Sequence, residues 1–190
     1  MLYPISAQLF LDITDQSGTE VYRPPHSFFG AGVTMADYDQ DGYMDIIVPT
    51  VNGELLKVFR NLGDETFIDV ASAIGLQDET MESINVLVAD YDNDGYEDIF
   101  IVNWLAQSNL YHNNGDNTFT IVTDSSGMDI YFESSRAACW LDYDRDGYLD
   151  LYMVNRLQEE FNILYHNNGD GTFTDATQIA GVDGTIDKMG

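Results

Sequence analysis

Positive charge is scarce in this chain of 190 residues, because only seven Lys and Arg accompany 33 Asp and Glu, and the formal net charge is -26. Like charge repels such a surface from a phosphate backbone and from an anionic membrane, so we expect neither nucleic acid nor a membrane surface as a partner. The partners that this surface attracts are cations.

Cysteine and long apolar runs are also rare. Cys139 is the single cysteine, so no disulfide can form within the chain, and the redox compartment cannot be inferred from one. No run of about 18 apolar residues is present, and the first residues lack the basic and apolar regions of an export signal. We therefore expect no membrane insertion, and no signal peptide is visible in this chain.

What the chain has in abundance is repetition. Three acidic loops begin at Asp37, Asp90 and Asp142, about 53 and 52 residues apart, and each follows a short apolar run. Each loop leads into a β-branched and aromatic stretch, then a third such run, an Asn/Gly turn and a fourth run. This pattern predicts four short antiparallel strands in each unit. The predicted repeat units span residues 27–76, 81–128 and 134–182.

Units of about 50 residues and four strands indicate an all-β fold made of propeller blades. The stretch at 9–14 resembles the last strand of a unit, so we predict one domain over residues 1–190 with three complete blades and one extra N-terminal strand. Propellers close with at least about four blades, so three blades leave an open arc. The sequence therefore predicts either a partial propeller or a ring that is closed by oligomerisation.

In each acidic loop, Asp occupies positions 1, 3, 5 and 9, and Gly at position 6 allows a sharp reversal. Four converging carboxylates repel one another without a cation, and hard oxygen ligands in this number suit Ca²⁺ better than Mg²⁺, which keeps several waters. The predicted ligands are the four Asp side chains of each loop and the main-chain carbonyl of the Tyr at position 7. They are Asp37, Asp39, Asp41, Tyr43 and Asp45; Asp90, Asp92, Asp94, Tyr96 and Asp98; and Asp142, Asp144, Asp146, Tyr148 and Asp150. The repeats thus predict about three calcium ions per chain.

Two other interpretations of the loop compete with this metal site. A helix-loop-helix calcium sensor needs Glu at position 12 and a helix on each side, whereas position 12 is apolar and lies in a strand-like run at Val48, Ile101 and Met153. That class of site is excluded. A metal-free acidic turn stays open for any single loop, but three loops in register favour the metal site.

These motifs resemble the FG-GAP/VCBS repeats, which are known from the calcium-bearing propeller blades of integrin α-subunits. The stretches "DYDNDGYED", "LYHNNGDNTF" and "LYHNNGDGTFTD" are similar to the repeats found beside ASPIC/UnbV domains. The resemblance covers the chain from Phe10 to about Val182, and it implies that the loop joins the innermost strand of a blade to the next strand and binds Ca²⁺. It also implies an extracellular or periplasmic location, where calcium is plentiful.

The leading hypothesis is a non-enzymatic calcium-binding module that presents a surface for protein or glycan partners or for assembly. No nucleophile motif and no phosphate-binding Gly-rich loop is present. The alternatives are a fragment of a carbohydrate-active lyase, with Tyr or Arg156 at its centre, and a purely structural unit that self-assembles. Trp104 and Trp140 fit either packing between blades or stacking on a sugar ring. His112 and His166 hold matching positions in their units, which indicates a repeated structural role.

Overall fold

The computed structural model describes residues 11–21, 32–49, 56–76, 83–132, 135–155 and 161–182. Within them lie three four-stranded antiparallel sheets, and in each sheet the strands follow one another as a meander. The first sheet contains β1 (Thr34–Ala36), β2 (Asp45–Val48), β3 (Lys57–Asn61) and β4 (Phe67–Asp69). The second contains β5 (Ser83–Ala89), β6 (Asp98–Asn103), β8 (Asn109–Asn113) and β9 (Phe119–Ile121). The third contains β11 (Ser135–Leu141), β12 (Asp150–Asn155), β13 (Ile163–Asn167) and β14 (Phe173–Asp175).

Shorter elements connect these sheets. Strand β7 (Ala106–Gln107) pairs with β10 (Tyr131–Phe132) in a two-stranded ribbon that the repeat pattern did not predict. Two four-residue helices, α1 (Thr14–Ser17) and α2 (Thr177–Ala180), and a 3-10 turn at Asp124–Ser126 complete the described elements. Among the described residues, no helix has the length and hydropathy that crossing a membrane requires.

The sheets confirm the predicted all-β fold of four-stranded antiparallel blades. In every blade the acidic loop joins the first strand to the second, and the last two strands form a hairpin across the Asn/Gly turn. The predicted N-terminal strand at 9–14 has a different outcome. Residues 9 and 10 lie outside the described residues, residues 11–13 carry no strand, and Thr14 begins α1.

The middle blade contains a strand that is apolar on both faces. All six residues of β6 are buried, because this blade has a neighbour on each side. Ile99 and Ile101 pack in the core shared with the first blade, while Phe100 and Val102 pack in the core shared with the third. Successive side chains of a strand point to opposite faces, so one run of four apolar residues serves two interfaces.

Both interfaces between blades repeat the same aromatic contact. The Tyr at position 2 of an acidic loop packs against the Phe that begins the last strand of the next blade, with ring centroids 5.9 Å apart for Tyr38 and Phe119 and 5.7 Å apart for Tyr91 and Phe173. Tyr38 and Tyr91 are each 3% exposed, whereas the equivalent Tyr143 of the third blade is 39% exposed. The blades therefore associate by a contact that one more blade could repeat on the third.

A buried amide also links each pair of blades. Asn113 donates from Nδ2 to the main-chain carbonyl of Tyr38 at 3.1 Å, and Asn167 donates from Nδ2 to that of Tyr91 at 2.8 Å. Each Asn is 1% exposed, so water does not reach its side chain. Loss of either bond would therefore leave a buried polar group without a partner, which is costly. The bonds fix the position of one blade relative to the next.

The N-terminal segment contacts the first blade as the end of a preceding blade would. At the junction of the first and second blades, Phe119 N–H donates to the carbonyl of Ile74 at 2.8 Å, and a Cβ at Gly75, whose φ is +87°, would lie 2.6 Å from the Phe119 oxygen. Gly18, which ends α1 with a φ of +79°, makes the same approach, because a Cβ there would lie 2.8 Å from the Phe67 oxygen. Only Gly allows main chain to come this close to main chain at positive φ.

Candidate metal centres

The acidic loops fold around their own carboxylates. In the second blade, Oδ1 and Oδ2 of Asp90 accept hydrogen bonds from the main-chain N–H groups of Asp94 at 3.0 Å and Gly95 at 2.9 Å. Asp92 Oδ1 accepts from Asp94 N–H at 3.3 Å, and Asp94 Oδ1 accepts from Tyr96 N–H at 2.9 Å. The first and third loops contain the same bonds, at 2.9 to 3.4 Å. The loop main chain thus orients the side chains of positions 1, 3 and 5.

The Asp at position 9 begins the second strand of each blade and is almost fully buried. Asp45, Asp98 and Asp150 are 0%, 1% and 0% exposed. Their Oδ1 atoms accept the main-chain N–H of Asn61, Asn113 and Asn167 at 2.8, 2.8 and 2.9 Å, respectively. Burial raises the pKa of Asp45 to about 6, and burial also raises the pKa of Asp98. Ionisation of Asp45 and Asp98 is therefore costly, and a cation beside each of them would lower the cost.

Three of the four carboxylates that the sequence singled out in each loop come together in every blade. In three groups of Asp residues, one carboxylate oxygen from each member lies within 4.8 Å of those of the others: Asp37, Asp39 and Asp41; Asp90, Asp92 and Asp98; and Asp142, Asp144 and Asp146. Two further groups with this spacing include an imidazole: Asp92, Asp94 and His112; and Asp144, Asp150 and His166. Asp45 lies outside the first group, but after burial the charges of Asp39 and Asp41 add to the rise in its pKa.

The tyrosines at position 7 contribute their rings to packing. A Cβ at Gly63 would lie 2.6 Å from the ring of Tyr43, which means that this ring lies directly on the hairpin turn of its blade. The rings of Tyr96 and Tyr148 lie in the same way on Gly115 and Gly169, at 2.8 Å. Coordination by the main-chain carbonyls of these tyrosines stays a prediction.

A residue opposite position 9 also faces each loop, and the sequence reasoning missed this. The register of β2 and β3, continued by one residue, places Arg60 opposite Asp45, and the second and third blades place His112 and His166 opposite Asp98 and Asp150. The signal was available in the repeats, because these three residues hold matching positions just before the Asn that ends the third strand. What the sequence alone did not give was the strand register.

These opposing residues contact the acids of their own blade. Arg60 Nε lies 2.7 Å from Asp39 Oδ2. His112 Nδ1 lies 3.2 Å from Asp92 Oδ2 and 3.4 Å from Asp98 Oδ1. The third blade follows the second, with His166 Nδ1 at 3.4 Å from Asp144 Oδ2 and 3.2 Å from Asp150 Oδ1.

The three loops are joined in a row through their fourth residues. Gln40 Nε2 donates to the main-chain carbonyl of Gly95 at 2.7 Å, and Asn93 Nδ2 donates to that of Gly147 at 3.1 Å. Each bond runs from one loop to the glycine of the next loop. Neighbouring loops are therefore in direct contact through one side-chain hydrogen bond each.

The candidate sugar-stacking residues are engaged in other contacts. The Trp140 ring stacks on Tyr91 with centroids 6.2 Å apart and planes inclined by 9°, and it also packs near Phe173. The Arg136 guanidinium lies 3.9 Å from the centroid of the Trp104 ring. These contacts favour packing between blades for both tryptophans. Arg156, the candidate for lyase chemistry, lies outside the described residues.

A cleft of about 280 Å³ lies beside β9, away from the acidic loops. Amide, hydroxyl, carboxylate and apolar side chains line it: Gln107, Asn109, Ile121, Thr123, Asp124 and Ser125. This lining differs from the Tyr, Arg and His centre that a lyase would need.

Comparison with known proteins identifies repeats of one kind along the chain. The family model described as FG-GAP-like repeat matches residues 50–101, 90–153 and 142–188. Cartilage acidic protein 1 of Xenopus tropicalis is 31% identical over 130 residues, which cover 66% of this chain and 20% of that protein. The protein of the same name from Homo sapiens is 27% identical over 145 residues, which cover 76% of this chain and 21% of that protein. The chain thus spans about a fifth of the length of these curated relatives.

Among solved structures, a lectin of Agrocybe aegerita with specific recognition of non-reducing terminal N-acetylglucosamine aligns with this chain. The two are 20% identical with a TM-score of 0.49, and the alignment covers 77% of this chain and 38% of the lectin chain.

Proposed function

Because the chain belongs to the FG-GAP-like repeat family, we propose that it is a non-enzymatic, calcium-binding module of propeller blades. Ca²⁺ fixes the loop between the first and second strands of a blade and so stabilises the surface on which the loops lie. The observation that carries the proposal is the convergence of the loop carboxylates, which their own main chain holds in place.

The donor set of the loops suits calcium. Ca²⁺ accepts about six to eight oxygen ligands, and each loop offers carboxylates at four positions beside the proposed main-chain carbonyl at position 7. In the second blade the proposed ligands are Asp90, Asp92, Asp94, Asp98 and the carbonyl of Tyr96. A bound cation offsets the repulsion among these acids and favours the ionised form of the buried Asp98.

Calcium removal tests this proposal through the stability of the whole chain. A ligand that binds only the native state adds about 2.7 kcal/mol at one site when its concentration is 100 times the dissociation constant. For a domain of this size we expect the melting temperature to rise by about 5 to 10 °C for each occupied site between excess chelator and saturating Ca²⁺. A melting curve that is the same in chelator and in calcium would refute the proposal.

The variant Asp94→Asn tests whether calcium binds in the acidic loop of the second blade. The amide keeps the oxygen that accepts Tyr96 N–H but lacks the negative charge, so we expect the second blade to lose its calcium in an isothermal titration. Asp116→Asn is the matched control, because it removes the same charge from the same blade at an acid that bonds to Thr118 outside the loop. Loss of one ion in both variants would show that net charge, and not the loop, governs binding.

We also place the module where calcium is plentiful, outside the cell or in a periplasm, and assign it a surface for protein or glycan partners. The same titration tests the location, because extracellular calcium modules bind with dissociation constants of about 10⁻⁴ to 10⁻³ M. A dissociation constant below about 10⁻⁷ M, typical of cytosolic buffers, would contradict it. Binding to a glycan array with and without Ca²⁺ tests the glycan partner, and an array without calcium-dependent binding would exclude it for the glycans present.

A second candidate function is self-association through the third blade. The contact that buries Tyr38 and Tyr91 is repeated at both interfaces, and Tyr143 carries the same surface on the third blade at 39% exposure. A first blade from a second copy would present Phe67 to Tyr143, and this pairing requires the N-terminal segment, whose Gly18 lies against the Phe67 oxygen, to move aside. The mass of the chain in solution tests this candidate, and a mass equal to one chain would refute it.

A further inference from the structure

The first acidic loop differs from the other two in the side chain that faces it. Arg60 occupies the place that His112 and His166 occupy in the second and third blades. Its Nε lies 2.7 Å from Asp39 Oδ2, and its Nη2 lies 3.3 Å from Asp41 Oδ2. One guanidinium therefore bridges the carboxylates of positions 3 and 5, with an ion pair to Asp39 and a hydrogen bond from Nη2 to Asp41 that its charge strengthens.

Burial makes this contact more than a surface ion pair. The Asp39 side chain is 1% exposed, whereas the Arg60 side chain is 38% exposed. The guanidinium thus takes part in closing the carboxylate of Asp39 off from solvent. Because guanidinium stays protonated at any physiological pH, the first loop always faces a positive charge that is covalently attached to the protein.

The imidazoles of the other two blades make longer contacts with their loops. His112 Nδ1 contacts Asp92 Oδ2 and Asp98 Oδ1, at 3.2 and 3.4 Å. Its second nitrogen, Nε2, lies 4.0 Å from Asp94 Oδ2, whereas Arg60 Nη2 lies 3.3 Å from Asp41 Oδ2. The imidazole therefore bridges the acids of positions 3 and 5 less closely than the guanidinium does.

We propose that Arg60 acts as a built-in counter-ion of the first loop, so that the first blade binds Ca²⁺ at least about tenfold more weakly than the second and third. This inference rests on the proposed calcium function. Entry of Ca²⁺ requires the guanidinium to leave Asp39 and Asp41, and it then places two like charges within a few Å of each other. The chain consequently holds two calcium ions tightly, and not the three that the repeats predict.

Exchange of the two residue types between blades tests the inference. Calcium titrations of the full chain should give two tight sites for the wild type, three for Arg60→His and one for His112→Arg. Arg60→Gln, which removes the charge but retains a long polar side chain, should also strengthen the first site by about tenfold or more. Circular dichroism of each variant verifies that the blades remain folded.

Lys57→His is the matched control. Lys57 lies on the same strand as Arg60, and its Nζ pairs with Asp69 Oδ2 at 2.8 Å, outside the acidic loop. The variant makes the same change from a fixed cation to His, so it should keep two tight sites. A third tight site in Lys57→His would mean that overall charge sets the stoichiometry, and this result would overturn the role of Arg60.

The outcomes separate this inference from the proposed function. Three equivalent sites in the wild type, unchanged in Arg60→His, would overturn the role of Arg60 and leave calcium binding intact. Absence of calcium binding in the wild type and all variants would overturn both. An increase in tight sites in Arg60→His together with a decrease in His112→Arg supports the inference.

Discussion

At the scale of the residue, one asparagine per blade takes part in several hydrogen bonds with different structural roles. Asn113 follows His112 on β8 and gives its main-chain N–H to the buried Asp98. Its Nδ2 donates to Glu97 within the blade and to Tyr38 in the preceding blade, both at 3.1 Å. The residue that helps to position a candidate metal ligand therefore also joins two blades.

A comparison of Asn113 with Asn61 isolates the contribution that the bond between blades makes to stability. Asn61 makes the corresponding bonds within its own blade, with Nδ2 donating to Met44 O at 3.1 Å and Oδ1 accepting Gly63 N–H at 3.0 Å. We expect Asn113→Ala to lower the free energy of unfolding by about 1 kcal/mol more than Asn61→Ala, because it also removes a buried bond between blades. Urea denaturation of both variants measures the difference, and equal losses would contradict the role of Asn113 between blades.

At the scale of the element, short turns set how blades meet. The turn that ends at Gly75 contacts β9 of the second blade through Phe119. Gly18, at the end of helix α1, approaches the Phe67 oxygen on β4 of the first blade in a similar way. The N-terminal segment thus contacts the first blade at this point, which the pattern of apolar residues along it did not reveal.

A comparison of Gly75 with Gly181 separates the cost of a steric clash between blades from the cost of positive φ. A Cβ at Gly75 would lie 2.6 Å from the Phe119 oxygen, whereas a Cβ at Gly181, which ends α2 with a φ of +67°, would meet no atom within 4 Å. Ala at either position incurs the cost of positive φ, about 1 kcal/mol. We expect Gly75→Ala to lower the free energy of unfolding by at least about 1 kcal/mol more than Gly181→Ala, as measured in urea. Similar losses would mean that the blades can separate slightly at this junction without cost.

At the scale of the whole molecule, the net charge of -26 opposes association between copies of the chain, whereas the exposed face of the third blade favours it. The acidic surface repels other copies of the chain, but the third blade exposes Tyr143 on a face that the first two blades bury. Bound calcium reduces the repulsion, and two Ca²⁺ ions would change the formal charge from -26 to -22. Association of copies should therefore increase with calcium.

A single charge on this face tests association. We expect the wild type in Ca²⁺ to sediment with a mass above that of one chain, and Tyr143→Glu to sediment as one chain, because a carboxylate cannot be buried at the interface without a partner. Ile121→Asp is the control, since it adds the same charge at an exposed position where the other blades carry Asp69 and Asp175. Dissociation of the control as well would point to general repulsion and contradict a specific face.

The sequence by itself determined the four strands of each blade, the repeat and the identity of the acidic loops, but not the ribbon of β7 and β10. Strand-length apolar runs, Asn/Gly turns and the fixed spacing of Asp90 from its equivalents are patterns in the sequence itself. They can be recognised without knowledge of the fold. The fold prediction of four-stranded antiparallel blades was confirmed for this reason. The approach of three loop carboxylates to one another in each blade also follows from a few consecutive residues around one glycine, whereas their role as calcium ligands stays a prediction.

Only the tertiary structure decided what lies opposite the loops and between the blades. The approach of Arg60 to Asp39 depends on the register of two strands, and the link from Asn113 to Tyr38 joins residues 75 positions apart in the chain. Neither register nor long-range contact leaves a pattern in neighbouring residues, since both arise from packing of complete sheets. That packing makes three similar acidic loops chemically unequal, with a guanidinium facing the first and imidazoles facing the second and third.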